Sequence, residues 1–421
     1  MLYWLGVAGF ALTILISVSL HEAGHMITAK RLGMKVTKYF VGFGPTIFSF
    51  HRGETEYGLK AIPLGGFCKI VGMTPQDDDV DPADQPRAMW RFPVWKRTIV
   101  MSAGSITHFL LALAAAWVVA FTLGLPNTAY PTTTAAELKQ APHITVADCT
   151  WITIPATEQT CAAGTSGAVA GPAYAAGLRD GDLITRVGGT AIGTYGQLTE
   201  VIRQQPAGPV LFEYVRDGVT STATVNLITA DRAPIDDEKG ATAKVAVAGL
   251  GWDGSSVPGV IKYNPGTAVG GTLKYGGFIV ENTFQALGRI PQKVPALWHS
   301  LTGGERDPDT PISVVGASRL GGEAIEHGVP ELFLNIFITL NIFIGIFNLL
   351  PLLPLDGGHL AIAWFERVRS WLYARLHRPD PGRVDYYKLM PLTYAVILIG
   401  GAFTLLTVTA DIINPIQIFN R

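Results

Sequence analysis

Apolar and polar positions follow two different rhythms along this chain. Four stretches, residues 1–20, 98–125, 332–355 and 389–410, contain no Asp, Glu, Lys or Arg. Each reaches or exceeds the roughly 20 residues that a helix needs to cross a hydrocarbon core about 30 Å thick. They predict four transmembrane helices. The first lacks a basic leading region, and its apolar run outlasts the roughly 7–15 residues of a signal peptide, so it reads as a span that stays in the membrane.

The remaining segments are read from turn residues and alternation. Residues 34–72 alternate apolar and polar positions around Gly42, Gly44, Gly58, Gly65 and Gly66, which predicts two β-hairpins. Tyr39, Phe40, Phe43, Phe48 and Phe50 on them are suited to the membrane interface. The acidic, proline-bearing stretch 72–88 reads as a solvated loop, and the Pro-, Thr- and Ala-rich stretch 126–165 as a linker. In 166–228, the run Gly177–Gly189 gives short strands around tight turns, followed by helical spacing over Tyr195–Arg203. Residues 257–302 mix apolar and polar positions in a way that predicts amphipathic helices on a membrane surface. No solenoid repeat is visible.

Composition supports lipid contact. Of 421 residues 48% are hydrophobic and 15% charged, against about 25% charged in an average soluble domain. The net charge of −1 provides no basic field for nucleic acid.

Charge also orients the spans, because Lys and Arg accumulate in cytoplasmic loops. Lys30, Arg31, Lys35, Lys38, Arg91, Lys96 and Arg97 follow the first span or precede the second. Arg367, Arg369, Arg375, Arg378, Arg383 and Lys388 lie between the third and fourth. Both loops are therefore expected in the cytoplasm, with both termini and the long 126–331 region outside. Cys149 and Cys161 fall in the outer region, where a bridge can persist, and Cys68 lies alone on the reducing side. A Cys149–Cys161 bridge and two free thiols are both open at this point.

The chemistry begins where the first apolar run ends, at His21-Glu22-Ala23-Gly24-His25. On a helix, positions i and i+4 share a face, so both imidazoles can reach one metal ion. Glu22 is placed to take a proton from water that zinc has made acidic. Ionisable residues closing a charge-free membrane helix are costly, which favours a functional reading over a polar cap.

A catalytic zinc usually takes three protein ligands, and Asp356 in Asn348-Leu349-Leu350-Pro351-Leu352-Leu353-Pro354-Leu355-Asp356-Gly357-Gly358 is the candidate third. Its two prolines break the helix, and broken backbone at membrane depth is tolerated only where it lines a protein cavity. Both motifs sit at the inner ends of outside-to-inside spans, His21 about 27 Å along the helix from Tyr3. The metal site is thus expected near the cytoplasmic face.

HEAGH on the first span with NLLPLLPLDGG on a later one resembles the site-2 protease family of intramembrane zinc metalloproteases, over nearly the whole chain. GFGP (42–45), PLGGF (63–67) and PISVVGAS (311–318) resemble its actinobacterial branch. The resemblance implies zinc bound by His21, His25 and Asp356, Glu22 as general base, and Asn348 orienting substrate backbone or the developing oxyanion. It implies PISVVGAS near the substrate path and a PDZ-like domain over 166–228, binding substrate tails or filtering intact ectodomains. Where the family often has Gly-Pro-x-x-Asn on the second helix, this chain has Gly104-Ser105-Ile106-Thr107-His108. His108 is then either a fourth ligand or a histidine satisfied by a neighbouring helix.

The expected fold is a polytopic α-helical membrane protein with four transmembrane helices, a cytoplasmic β-hairpin region and an extracytoplasmic PDZ-like α+β domain. Its parts are a first span with the zinc motif (1–33), hairpins and acidic loop (34–97), a second span (98–125), a linker (126–165) and the PDZ-like domain (166–228). An outer region with amphipathic segments follows (229–331), then a third span (332–356), a basic loop (357–388), a fourth span (389–411) and an outer tail (412–421). The expected function is zinc-dependent cleavage of single-span membrane proteins, such as anti-sigma factors, as the second cut of regulated intramembrane proteolysis in the cell membrane. A non-proteolytic PDZ-bearing scaffold with a structural metal is the alternative, though it has no use for Glu22. A zinc transporter would need a polar path or repeated halves, and neither is visible.

Overall fold

The computed structural model describes all residues except 74–79, 132, 154–160, 162–164, 236–240 and 420–421, and the side chain of Leu64. Part of the expected acidic loop, linker and outer tail therefore lies outside the described residues. The chain divides into two compact units, one of Met1–Leu125 with Lys262–Arg421 and one of Pro126–Ile261.

The first unit opens with helix α1 (Leu2–Arg31), strands β1 (Val36–Arg52) and β2 (Thr55–Ile70), and helix α2 (Val94–Thr122). The buried residues of α1 are Gly6, Phe10, Ile14, Ser17, His21, His25 and Ala29, spaced three or four apart, so one stripe faces protein while Leu2, Leu5, Leu12, Ile16, Leu20 and Ile27 are apolar and exposed. That division suits a lipid-facing helix. Ala103, Gly104, Ala112, Ala116 and Ala120 on the buried side of α2 let neighbouring helices approach closely.

β1 and β2 do not form two separate hairpins. Arg52 partners Thr55 across a two-residue turn, and pairing continues through Phe48–Leu59 and Thr46–Lys60. Tyr39, Phe40 and Val41 each have two partners, Cys68 and Tyr57, Phe67 and Gly58, and Gly66 and Leu59. The ribbon therefore folds back on itself, with 38–41 inside and 66–70 along one edge. Gly42 makes the fold possible: its φ is +88°, and a Cβ there would meet the Lys60 carbonyl oxygen at 2.8 Å. Local alternation carried no sign of this second, non-local pairing. Phe43, Ile47, Phe48, Phe50 and Ile62 leave the tip of the ribbon apolar and exposed.

The second unit contains α3 (Thr134–Glu137), α4 (Pro172–Ala175), α5 (Tyr195–Gln204) and a five-stranded sheet. Leu183–Val187 pairs with Gly208–Arg216, which pairs with Val219–Arg232, which pairs with Ala243–Val247. Ile184, Val187, Leu198, Phe212, Val225 and Leu227 form its core. The unit extends beyond 166–228 in both directions. Ile144, within the stretch read as linker, is fully buried in this core, and Ile144–Val146 pairs with Leu250–Trp252. Such short strands, closed by partners a hundred residues away, leave no periodicity to read. Cys149 and Cys161 form a disulfide.

The first unit resumes with α6 (Ala268–Leu301), α7 (Val314–Glu326), α8 (Pro330–Asn348), α9 (Asp356–Arg375) and α10 (Met390–Ile413). Among the described residues, four helices, α1, α2, α8 and a stretch ending with α10, are long and apolar enough to cross a membrane. α6 runs as one helix and packs Ala268, Tyr275 and Ile279 against α2 and α8. The PISVVGAS stretch starts α7, where Ser313 caps the helix through the Val315 and Gly316 amides. Asp411 of α10 accepts from the Ser313 amide at 2.6 Å and pairs with buried Arg306 at 3.0 Å.

Candidate metal centre

The apolar run 332–355 is helical only as far as Asn348. Residues 349–355, with Pro351 and Pro354, then turn back without helix, and Asp356 is the first residue of α9. A Cβ on Gly357 would collide with the backbone of Leu349 and Leu350, so the turn can be this tight only with glycine there.

This turn delivers the Asp356 carboxylate to the imidazoles of α1. His21 Nε2 and His25 Nε2 are 3.1 Å apart, and Asp356 Oδ2 lies 3.3 Å from the first and 3.2 Å from the second. Three ligand-type atoms thus form a nearly equilateral triangle. A tetrahedral zinc with bonds of about 2.0–2.1 Å holds its ligand atoms about 3.3–3.4 Å apart, so the spacing fits zinc with a fourth position left open. His21 Nδ1 and Asp356 Oδ2 are buried without a hydrogen-bond partner among the described residues. An orphaned carboxylate oxygen between two imidazoles is costly unless a cation occupies the centre.

The second helix supports the imidazoles from behind. His25 Nδ1 lies 2.7 Å from the Val100 carbonyl oxygen, which can only accept, so Nδ1 carries the proton and Nε2 keeps its lone pair for a metal. A Cβ at Gly104 would fall inside contact distance of both His21 and His25. Gly104 keeps the glycine of the family pattern from which Ser105 and His108 depart, and nothing in the sequence shows that two ring systems lie on it.

Glu22 neighbours the folded ribbon. The Cys68 backbone amide is in hydrogen-bonding reach of its carboxyl, and a Cβ on Gly66 would lie 3.4 Å from its Cγ. The edge 66–70 therefore passes beside the proposed base. Burial pushes the Cys68 thiol up to about 12, with the Glu22 charge adding to it and Lys30 opposing. Tyr39, whose hydroxyl donates to the Ser19 carbonyl at 2.7 Å, is likewise raised to about 12 by burial.

His108 stands apart from the triangle. It is almost fully buried, with its ring centroid 5.0 Å from that of His21. Its Nδ1 lies 2.8 Å from Asn341 Oδ1 and 3.1 Å from Ser17 Oγ, and the Ser17 hydroxyl also donates to Asn341. Asn341 Nδ2 donates to the Phe337 carbonyl, which turns Oδ1 toward His108. Ser17 and Asn341 were missed by the sequence reading, although polar groups inside charge-free spans were a signal available to it. Asn348 is half-buried at the end of α8, and among the described residues its side chain makes no hydrogen bond.

A family model described as Peptidase family M50 matches residues 9–377. The chain is 41% identical over 425 aligned residues to the zinc metalloprotease Rip1 of Mycolicibacterium smegmatis, covering 100% of both chains. It is 40% identical, again over 100% of both chains, to the zinc metalloprotease Rip1 of Mycobacterium tuberculosis.

Proposed function

This chain belongs to peptidase family M50, and we propose that it cuts single-span membrane proteins inside the bilayer with a zinc ion held by His21, His25 and Asp356. It is a zinc metalloprotease of the site-2 kind. The observation that carries the ligand assignment is the triangle of Nε2, Nε2 and Oδ2 atoms beside Glu22.

Zinc bound there would polarise the scissile carbonyl and make a water acidic enough to give up its proton near neutral pH. Glu22 takes that proton and returns it to the leaving amine nitrogen. Asn348, with its amide uncommitted, donates to substrate backbone or to the oxyanion as it develops. The edge 66–70 takes the substrate as an added strand, which keeps the bond to be cut extended. His108, held by Asn341 and Ser17, packs behind His21 as a positioning residue.

The basic loops face the cytoplasm, which puts both termini outside and the metal near the inner face. Cation–aromatic pairs support this level: Lys96 with Phe92 and Trp95 at the start of α2, and Arg375 with Trp371 on α9. The Pro126–Ile261 unit is the PDZ-like domain, acting as a filter that admits substrates already trimmed outside. Membrane-anchored regulators such as anti-sigma factors fit this requirement.

The test is cleavage of a single-span reporter by the purified chain in liposomes. The native chain is expected to cut within the reporter's apolar segment. Glu22→Gln should retain zinc and lose activity by roughly 10²–10⁴-fold, the range of general acid–base catalysis. Equal cleavage by Glu22→Gln would remove Glu22 from the mechanism.

A further inference from the structure

Among the described residues, helix α9 leaves most of one face without a protein partner. Its buried residues are Gly357, Gly358, Ala363 and Glu366. On that side Glu366 pairs with Arg97 of α2 at 3.2 Å, while at the edge of the opposite face Trp364 stays 47% exposed although its Nε1 donates to Thr98 Oγ1 at 3.0 Å. Trp364, Phe365, Val368, Trp371, Leu372 and Leu376 recur at helical spacing and are between 46% and 57% exposed. Six large apolar side chains in one stripe require something other than water against them.

The charges around the stripe identify the occupant. Residues 367–378 contain four arginines and no carboxylate. At roughly 100° per residue, Arg367 falls on one flank of the stripe and Arg369 on the other, while Arg375 and Arg378 close its C-terminal end. Arg369 lies 5.4 Å over the Phe365 ring and Arg375 4.9 Å over the Trp371 ring. Among the described residues, none of the four is in an ion pair. Among the described residues, Arg369 alone of the four also makes a side-chain hydrogen bond, donating to the Gly382 carbonyl at 2.6 Å.

An apolar stripe bordered on both sides by unpaired arginines matches the boundary between acyl chains and negatively charged headgroups. A partner protein's helix would use the stripe but leave the flanking charges unanswered. A soluble anion would answer the charges but not the tryptophans.

We propose that α9 binds anionic phospholipid through Arg367, Arg375 and Arg378, with its aromatic stripe in the acyl boundary, and that this contact seats Asp356, the first residue of the helix. The lipid surface stands on the geometry of α9. Its effect on the metal rests on the assignment of Asp356 as a zinc ligand.

The experiment places the full chain in nanodiscs of phosphatidylcholine mixed with phosphatidylglycerol, and native mass spectrometry reads the lipids retained on the protein. Phosphatidylglycerol should be retained over phosphatidylcholine. The triple variant Arg367→Gln, Arg375→Gln, Arg378→Gln should lose that preference by on the order of a hundredfold, at roughly fivefold per basic residue. The matching triple change to Lys should keep most of it, since a charge at a surface is retained. Zinc measured in the same samples should leave faster from discs without phosphatidylglycerol. Equal retention of both lipids by the native chain, or an unchanged preference in the Gln variant, would overturn the proposal. No bound zinc with the lipid preference intact would refute the metal assignment and leave the lipid surface standing.

Discussion

His25 of α1 and Val100 of α2 are joined by a 2.7 Å hydrogen bond from imidazole Nδ1 to backbone carbonyl. The bond fixes which nitrogen of His25 carries its proton, so the geometry of the proposed metal centre depends on how closely α2 lies against α1. Gly104, one turn further along α2, lies against both rings: a Cβ there would collide with His21 and with His25. Gly104→Ala is therefore expected to push both imidazoles off their common centre. Zinc affinity should fall by roughly 10–100-fold, the usual cost of disturbing groups that orient ligands. Equilibrium dialysis against a zinc buffer measures this, and affinity unchanged by the extra methyl would show that the helices are not in this contact.

The Arg97–Glu366 pair holds α9 against α2, with both side chains only 11–13% exposed. Glu366 also accepts from the Val384 amide at 2.9 Å. Glu366→Gln keeps an oxygen for that amide but leaves Arg97 without its counter-charge. A loss of roughly 2 kcal/mol in stability is expected, in the range of hydrogen bonds to charged groups. A melting temperature equal to the native one would mean that Arg97 finds another partner.

Cys68 is the one cysteine outside the disulfide. Its thiol is raised to about 12 by burial and the Glu22 charge, so at pH 8 roughly one molecule in 10⁴ carries the reactive thiolate. Native, unreduced protein should react with a maleimide far more slowly than a free cysteine. The rate should rise about tenfold per pH unit up to the limit of folding. Rapid stoichiometric labelling at pH 7 would contradict this environment.

The spans and the proposed ligand motifs are legible in the sequence because each rests on local pattern. Charge-free runs give helices α1, α2, α8 and α10, and the spacing of His21 and His25 needs only a helix to align them. Asp356 was legible as well, because two prolines and paired glycines mark a break at membrane depth. The folded ribbon, the extent of the Pro126–Ile261 unit and the contact at Gly104 were not. Each depends on segments that meet across long stretches of chain, such as Ile144–Val146 with Leu250–Trp252. Asn341 and Ser17 fall between these cases: their polarity was visible, but their meeting at His108 required three helices to be in place.

The most direct test of the account is zinc bound per chain in detergent-purified protein, for the native sequence and for Asp356→Ala. The native chain is expected to hold about one zinc, as for a single three-ligand site, and the variant to lose the metal or hold it much more weakly. Zinc held equally well by both would contradict a site that joins α1 to the turn before α9. A native chain that takes up no zinc after reconstitution would contradict the metal centre itself.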